Sequence, residues 1–164
     1  MAEEKLKSIP DFPPYKYLVD YNLSNIALNN SQYEKALAYY ISVINSNTIQ
    51  TNDRLKKIYH NVGVCYLHLK NYHASEKFLM KELEISQNEK DTSGVIYAKL
   101  DLGNLFYQQY QDDKAIFLFK EAYDLARLFH DIRLKQLASQ NMAIVEKNRK
   151  HYKESVTYYT QYIR

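Results

Sequence analysis

The segment Asn61-Val62-Gly63-Val64-Cys65-Tyr66 returns 40 positions later as Asp101-Leu102-Gly103-Asn104-Leu105-Phe106. Both copies place a glycine among apolar residues and an aromatic residue three positions after it. Another small residue, Ala143, lies a further 40 positions on, and Ser24 lies 39 positions before Gly63. Small residues at such a regular period indicate an internal repeat with four copies.

A second set of residues keeps the same period and follows the small residues by nine positions. Its members are Tyr33, Tyr72, Asp112 and Tyr152, and each precedes another small residue by three positions: Ala36, Ser75, Ala115 and Ser155. Two small residues per copy let two helices approach closely, while bulky residues fill the space beside them. The pattern predicts that each copy is a hairpin of two packed helices.

The apolar residues within each copy have helical spacing. The first copy shows it in Ala36, Leu37, Tyr40, Val43 and Ile44, which lie on one face of an amphipathic helix. First helices are predicted over about 15–30, 53–70, 92–110 and 132–149, and second helices over about 33–47, 73–88, 113–129 and 152–164. A capping box is expected from Ser31, and N-terminal caps from Asn52-Asp53, Asp91-Thr92-Ser93 and Asp131.

The composition agrees with an all-α chain. The 164 residues include only 3 Gly and 3 Pro, whereas hairpins between strands need such turn residues. The formal net charge is +3, and no run of Lys and Arg is longer than two, so we expect no nucleic-acid partner. We find neither a signal peptide nor an apolar stretch that could span a bilayer. We therefore expect a soluble chain without membrane contact, and the cytoplasm is the favoured compartment.

Residues that could carry out chemistry form no recognisable site. The five histidines and the single cysteine, Cys65, lack the spacing of zinc ligands, and no phosphate-binding loop or nucleophile motif occurs. We expect no enzyme activity in this segment, no catalytic residue, no metal site and no cofactor. Cys65 is interpreted as a buried structural thiol.

The repeat resembles the tetratricopeptide repeat over residues 15–164. The shared features are the small residue at repeat position 8, the aromatic residue at position 11 (Tyr66, Phe106), the aromatic at 17 and the small residue at 20. It departs from the family in its period, about 40 instead of 34 residues, and in Ala27 and Glu146 at position 11. The resemblance implies a right-handed α-α superhelix of four helix-turn-helix repeats, at about 15–51, 52–90, 91–130 and 131–164, after an N-terminal extension of residues 1–14.

Long repeats of this kind are similar to those of bacterial regulators: the sensory arrays of histidine kinases, the aspartate phosphatases that act on response regulators, and peptide-sensing transcription factors. The resemblance implies a non-enzymatic module that binds a protein or peptide, as the sensory or scaffolding part of a bacterial regulatory protein. Two alternatives stay open. One is a self-assembling structural scaffold, and the other is a receptor of the peptide-pheromone type in a transcription regulator.

The family register predicts that the first helices line a concave groove for the partner. The candidate binding residues face away from their own second helix: Tyr21, Asn25, His60, Asn61, Tyr97, Asn104, Tyr107, Gln140 and Asn141. Since position 6 of one repeat comes near position 9 of the preceding repeat, we expect the pairs Asn25/Asn61 and Asn104/Asn141. An asparagine amide suits a peptide backbone because it offers a donor and an acceptor, but it can equally bond a neighbouring helix.

The second helix of the last copy carries apolar residues with no later copy to cover them. Val156, Tyr159 and Ile163 are expected to leave apolar surface exposed. Such a surface predicts either further sequence after residue 164 or a homo-oligomer formed through the C-terminal end.

Overall fold

The computed structural model describes residues 13–46 and 51–163, which form eight α-helices and no strand. The helices are α1 Pro13–Asn29, α2 Tyr33–Asn45, α3 Asn52–His68, α4 Tyr72–Asn88, α5 Thr92–Gln108, α6 Asp112–Leu128, α7 Ile132–Asn148 and α8 Tyr152–Ile163. Each boundary lies within two residues of its predicted position, which is the usual uncertainty of a helix end. The all-α fold of four helical hairpins is therefore confirmed. Residues 1–12 of the predicted extension and the predicted end of α2 at residue 47 lie outside the described residues.

The helices belong to two compact units, the first reaching Phe78 and the second beginning at Leu79, within α4. In the first unit, α2 packs against both α1 and α3. In the second unit, α6 packs against α5 and α7, α7 packs against α8, and α5 also contacts α7. A second helix thus packs on its own first helix and on the first helix of the following hairpin.

The described three-residue turns between helices share one backbone conformation. The middle residue of each has a positive φ: Ser31, Lys70, Lys90, Tyr110, His130 and Lys150. In the first turn, Ser31 donates its N–H to the Leu28 carbonyl (2.9 Å) and Gln32 donates to the Ala27 carbonyl (2.8 Å). This is the Schellman arrangement, which satisfies the last carbonyls of a helix and usually places glycine in the left-handed position.

The predicted capping box at Ser31 is wrong because Ser31 takes the left-handed position of this turn. The residue before α2 is Gln32, whose side chain makes no capping hydrogen bond. The caps expected from Asp91 and Asp131 are confirmed: their Oδ1 atoms accept the N–H groups of Gly94 (3.0 Å) and Leu134 (2.9 Å). Before α3 the cap is Thr51 instead of the predicted Asn52-Asp53, and its hydroxyl accepts the Arg54 N–H at 3.4 Å.

The small residues that mark the repeat meet inside the hairpins. The Ser75 hydroxyl donates to the Gly63 carbonyl at 2.8 Å, and the Ser155 hydroxyl donates to the Ala143 carbonyl at the same distance. At Gly103 an added Cβ would lie 2.7 Å from Cδ1 of the buried Phe119 ring. The predicted interlocking of small and bulky residues is therefore confirmed, and it sets the helix spacing on which any binding face depends.

The last helix leaves apolar side chains exposed, as predicted. Val156 is largely exposed, and Tyr159 is 36% exposed although its counterpart Phe119 is buried. The side chain of Ile163 lies outside the described residues. Among residues 13–46 and 51–163, we find no helix with the length and apolarity that crossing a membrane requires.

Candidate binding face

The nine predicted binding residues all lie on first helices, and all are half-buried. Tyr21 and Asn25 lie on α1, His60 and Asn61 on α3, Tyr97, Asn104 and Tyr107 on α5, and Gln140 and Asn141 on α7. Within each unit, we call the surface formed by the predicted residues the first-helix face of that unit. Half-burial holds a side chain in a defined position while leaving part of it accessible to a ligand.

In the first unit, the expected pair of Asn25 and Asn61 is present and is joined by a third residue. The Asn61 amide nitrogen donates to Asn25 Oδ1 at 3.3 Å and to the Tyr40 hydroxyl at 2.7 Å. The Tyr40 hydroxyl in turn donates to Asn25 Oδ1 at 2.5 Å. We call these three residues the Asn-Tyr-Asn cluster. It fixes the orientation of both amides, because the Asn61 amide nitrogen donates to both other members and the Asn25 oxygen accepts from both.

The cluster leaves half of each amide available. Asn25 Nδ2 has two hydrogens to donate, Asn61 Oδ1 can accept, and neither atom has a hydrogen-bond partner within residues 13–46 and 51–163. A donor and an acceptor held side by side match the alternating N–H and C=O groups of a peptide backbone.

Burial keeps the Tyr40 hydroxyl in its neutral, hydrogen-donating form. Desolvation raises the pKa of Tyr40 to about 12, although hydrogen bonds with Ser24 and Asn61 oppose the shift. Cys65 is completely buried, as predicted, and burial raises the pKa of its thiol to about 11. Both groups therefore stay protonated throughout the physiological pH range.

We expect the first unit to lose stability between about pH 9 and pH 12. Because their pKa values are raised on folding, Tyr40 and Cys65 hold their protons more tightly in the folded chain than in the unfolded chain. The unfolded chain is therefore favoured as the pH rises through this window. The stability that the two protonated groups contribute is fully present only below the pKa values that they have in the unfolded chain. Urea denaturation at about pH 8 and about pH 11 measures the loss. The loss of unfolding free energy should be smaller in Tyr40→Phe than in the unaltered chain. The exposed control Tyr15→Phe should lose as much as the unaltered chain. If Tyr40→Phe lost as much as the unaltered chain, Tyr40 would not be a source of the pH dependence.

An arginine outside the predicted set also lies on this face. The Arg54 guanidinium lies 5.6 Å from the Tyr17 ring centre and 5.8 Å from the Tyr21 ring centre. It donates to the Tyr17 hydroxyl at 3.4 Å. Tyr21 also meets the Tyr40 ring edge to face, with centres 6.5 Å apart. The face of the first unit therefore combines aromatic surface with one positive charge, in cation-π contact.

The second unit holds its asparagines differently. Asn104 and Asn141 are half-buried, but no hydrogen bond joins them in the part of the chain that the structure describes. The residue equivalent to Tyr40, 79 positions on, is Phe119. Phenylalanine has no hydroxyl to bridge two amides, and among the described residues both amides are without a hydrogen bond.

The two tyrosines of this second face are held by polar side chains from α7. Arg133 donates to the Tyr97 hydroxyl and lies 5.7 Å from the centre of its ring. Asn148 donates to the Tyr107 hydroxyl. Neither Arg133 nor Asn148 is among the nine predicted residues: Arg133 lies outside the register positions assigned to the groove, whereas Asn148, five positions after Ala143, occupies one that was left out.

Comparisons with known proteins agree with the repeat. Residues 55–127 match the family profile of the tetratricopeptide repeat. The chain is similar in structure to aspartyl phosphate phosphatase F from Bacillus subtilis, with a TM-score of 0.83, 15% identity and coverage of 90% of this chain and 39% of that chain. It is also similar to the Rap conjugation gene regulator of the plasmid pLS20 in complex with the Phr* peptide, with a TM-score of 0.80, 15% identity and coverage of 90% and 41%.

A third similar structure is BtubC from P. vanneervenii, with a TM-score of 0.81, 17% identity and coverage of 99% of this chain and 68% of that chain. The search of curated proteins found no match. The chain spans about two fifths of the length of the phosphatase and of the plasmid regulator.

Eight helices in four hairpins, closed by one type of turn, define an α-helical repeat protein. Within that class, the profile match assigns the kind of repeat. The interlocking small and bulky residues and the similar solved structures agree with this assignment. Over residues 55–127 the hairpins are tetratricopeptide repeats, and the hairpins on either side have the same helix–turn–helix fold.

Proposed function

We propose that the first-helix face of the repeat array, residues 15–164, binds a peptide segment of a partner protein. The array would then be the non-enzymatic sensory or scaffolding part of a bacterial regulatory protein. The observation that carries the proposal is the set of half-buried asparagine amides with unused hydrogen-bonding capacity on this face.

Asparagine amides support recognition of backbone groups, since they pair with N–H and C=O groups of any sequence. In the first unit, Asn25 and Asn61 offer an oriented donor and acceptor beside the ring of Tyr21. In the second unit, Asn104 and Asn141 are free of hydrogen bonds among the described residues and can turn toward a ligand. Tyrosines add flat contact area and lose little side-chain entropy on binding.

Two structures of the same fold hold a bound ligand, and in one of them the ligand is a peptide. The plasmid regulator was solved with the Phr* peptide, and a Rap protein was solved with Competence and Sporulation Factor, with a TM-score of 0.78 and 15% identity. At this identity the likeness shows the fold alone, so the choice of a peptide ligand depends chiefly on the asparagines of this chain.

We expect Asn61→Ala and Asn104→Ala each to weaken peptide binding about tenfold, since each removes a hydrogen bond to the ligand worth about 1–1.5 kcal/mol. Peptides would be selected from a phage-displayed random library on the unaltered chain, and their affinities measured by calorimetry. Asn104→Ala is the cleaner variant, because it removes no hydrogen bond made within the described residues. Asn88→Ala, at the exposed end of α4, is the control. If both asparagine variants bound as tightly as this control, the proposed role of the face would be discarded.

A second candidate function is self-association as a structural scaffold. It is supported by the apolar side chains on α8, where Tyr152, Val156, Tyr159 and Tyr162 are exposed. A scaffold of this kind would be oligomeric in light scattering without any peptide, whereas the peptide-binding function needs no oligomer.

A further inference from the structure

The turn between α6 and α7 exposes three large apolar side chains. Leu128 is 69% exposed, Phe129 is 58% exposed and Ile132 is 64% exposed. They lie within five consecutive residues, 128–132, which we call the apolar turn. Neighbouring exposed apolar side chains of this size mark an interaction surface when the fold itself does not require them.

The chain contains an internal control showing that the fold does not require them. The turn between α4 and α5, residues 88–92, has the same conformation: φ is 56° at Lys90 and 58° at His130. The residue after each donates its N–H five residues back, Asp91 at 2.9 Å and Asp131 at 2.8 Å. Both aspartates then cap the following helix.

Only the outward side chains differ between the two turns. Where the apolar turn has Leu128, Phe129 and Ile132, the α4–α5 turn has Asn88, Glu89 and Thr92. The same backbone therefore forms with polar side chains at all three positions. The apolar residues do not serve the turn, and exposing them to water is unfavourable in the isolated chain.

The charge beside the two turns also differs. Residues 127–135 contain three cations, Arg127, Arg133 and Lys135, and one carboxylate, Asp131, which is used to cap α7. Residues 87–95 contain two carboxylates and one lysine. Arg127 is exposed, and its ion pair with Asp124 is long, at 3.6 Å. With Asp124 included, residues 124–135 carry a net charge of +1 and the equivalent residues 84–95 carry −2, so the apolar turn is the one of the two that can attract an acidic partner.

We propose that the apolar turn is a docking site for an acidic amphipathic segment of a partner protein. Leu128, Phe129 and Ile132 would enter the apolar side of the segment, and Arg127 and Lys135 would face its carboxylates. Apolar anchors surrounded by charge are the usual construction of a binding hot spot. The site lies at the ends of α6 and α7 and includes none of the nine residues of the first-helix face, so it can be tested separately from the peptide-binding function proposed above.

The structure favours a protein segment over an anionic membrane. Since α6 runs antiparallel to both α5 and α7, the two turns lie at the same edge of the second unit. A flat bilayer reaching the apolar turn would also meet Glu89 of the α4–α5 turn, which anionic lipids repel. A second copy of the same turn is disfavoured because its cations would repel those of the first.

The test uses a variant that copies the chain's own polar turn: Leu128→Asn, Phe129→Glu and Ile132→Thr. Phage-displayed peptides would be selected on the unaltered chain and counter-selected on this triple variant. We expect peptides rich in apolar residues and carboxylates, with affinity at least about tenfold weaker for the triple variant. Unfolding by urea should be unchanged, because the substituted residues already occur in an equivalent turn.

Further variants distinguish docking of an acidic segment from lipid binding and from self-association. Arg127→Glu with Lys135→Glu should also weaken the selected peptides, whereas Tyr110→Ser, at an exposed tyrosine of another turn, and Asn104→Ala should not. The proposal is overturned if no selected peptide binds the unaltered chain more tightly than the triple variant. It is also overturned if the peptides that do so lack carboxylates. It is also overturned if the triple substitution instead abolishes binding to phosphatidylcholine–phosphatidylserine vesicles or self-association in light scattering.

Discussion

Gly103→Val is expected to destabilise the second unit by about 3 kcal/mol, because it forces a branched side chain into a filled space. An added Cβ would lie 2.7 Å from Cδ1 and 2.9 Å from Cζ of Phe119, and nearer still to Cε1. Phe119 is buried among α5, α6 and α7, so the ring cannot move aside without disturbing its neighbours. Urea denaturation followed by far-ultraviolet circular dichroism measures the effect.

The sign of the smaller change, Gly103→Ala, separates packing from helix propensity. In the middle of a helix, replacing glycine by alanine stabilises by about 0.5–1 kcal/mol when space is available. Here we expect a net loss of stability, and Phe119→Leu in the same chain should recover part of it, because a leucine side chain has no ring edge at that position. If Gly103→Ala stabilised the chain, the close contact with Phe119 would be disproved.

The hairpins could be predicted because the residues that build them are constrained by space. A position where two helices touch accepts only a small side chain, and this produced the regular series from Ser24 to Ala143. The structure shows the same contact at Gly63 and Ala143, where a serine of the second helix bonds their carbonyls. Periodic packing leaves a signal in the sequence at every copy.

The turns could not be predicted in the same way. Their left-handed residue is serine, lysine, tyrosine or histidine, so the glycine that normally marks this conformation is missing. Without that glycine, Ser31 has the sequence pattern of a capping box although it belongs to a turn. The backbone hydrogen bonds that hold each turn come from residues of any type, and such bonds leave no pattern in a single sequence.

The sequence predicted the helices on which the candidate residues lie, but only some of the contacts that these residues make. The family register placed all nine residues on the first helices, and the pair Asn25/Asn61 formed. The role of Tyr40 was missed, because its spacing indicated a core residue and its ring is indeed buried. Whether a buried ring also directs a hydroxyl at two amides depends on three-dimensional geometry, and the same is true of Arg54 beside Tyr21.

Tyr40→Ala is expected to destabilise the first unit by about 4 kcal/mol and to release both asparagines of the Asn-Tyr-Asn cluster. Tyr40 is completely buried in the apolar cluster that contains Ala36, Val43 and Ile58, and removing a buried aromatic ring costs about 3–5 kcal/mol. The equivalent substitution Tyr159→Ala, at a tyrosine 36% exposed, should cost about 1 kcal/mol, since less apolar area is lost from the core. Urea denaturation of both variants measures the two losses of unfolding free energy, and the loss in Tyr40→Ala should be about four times that in Tyr159→Ala.

Tyr40→Phe separates the hydroxyl from the ring. It keeps the buried aromatic surface, so we expect a loss of only about 1 kcal/mol from the hydrogen bonds to Asn25 and Asn61. Because the hydroxyl takes part in two of the three hydrogen bonds that orient the amides, the variant should bind a selected peptide several-fold more weakly even though the unit stays folded. If peptide affinity were unchanged while stability fell as expected, the hydroxyl would act only in folding and the two asparagines would be oriented without it.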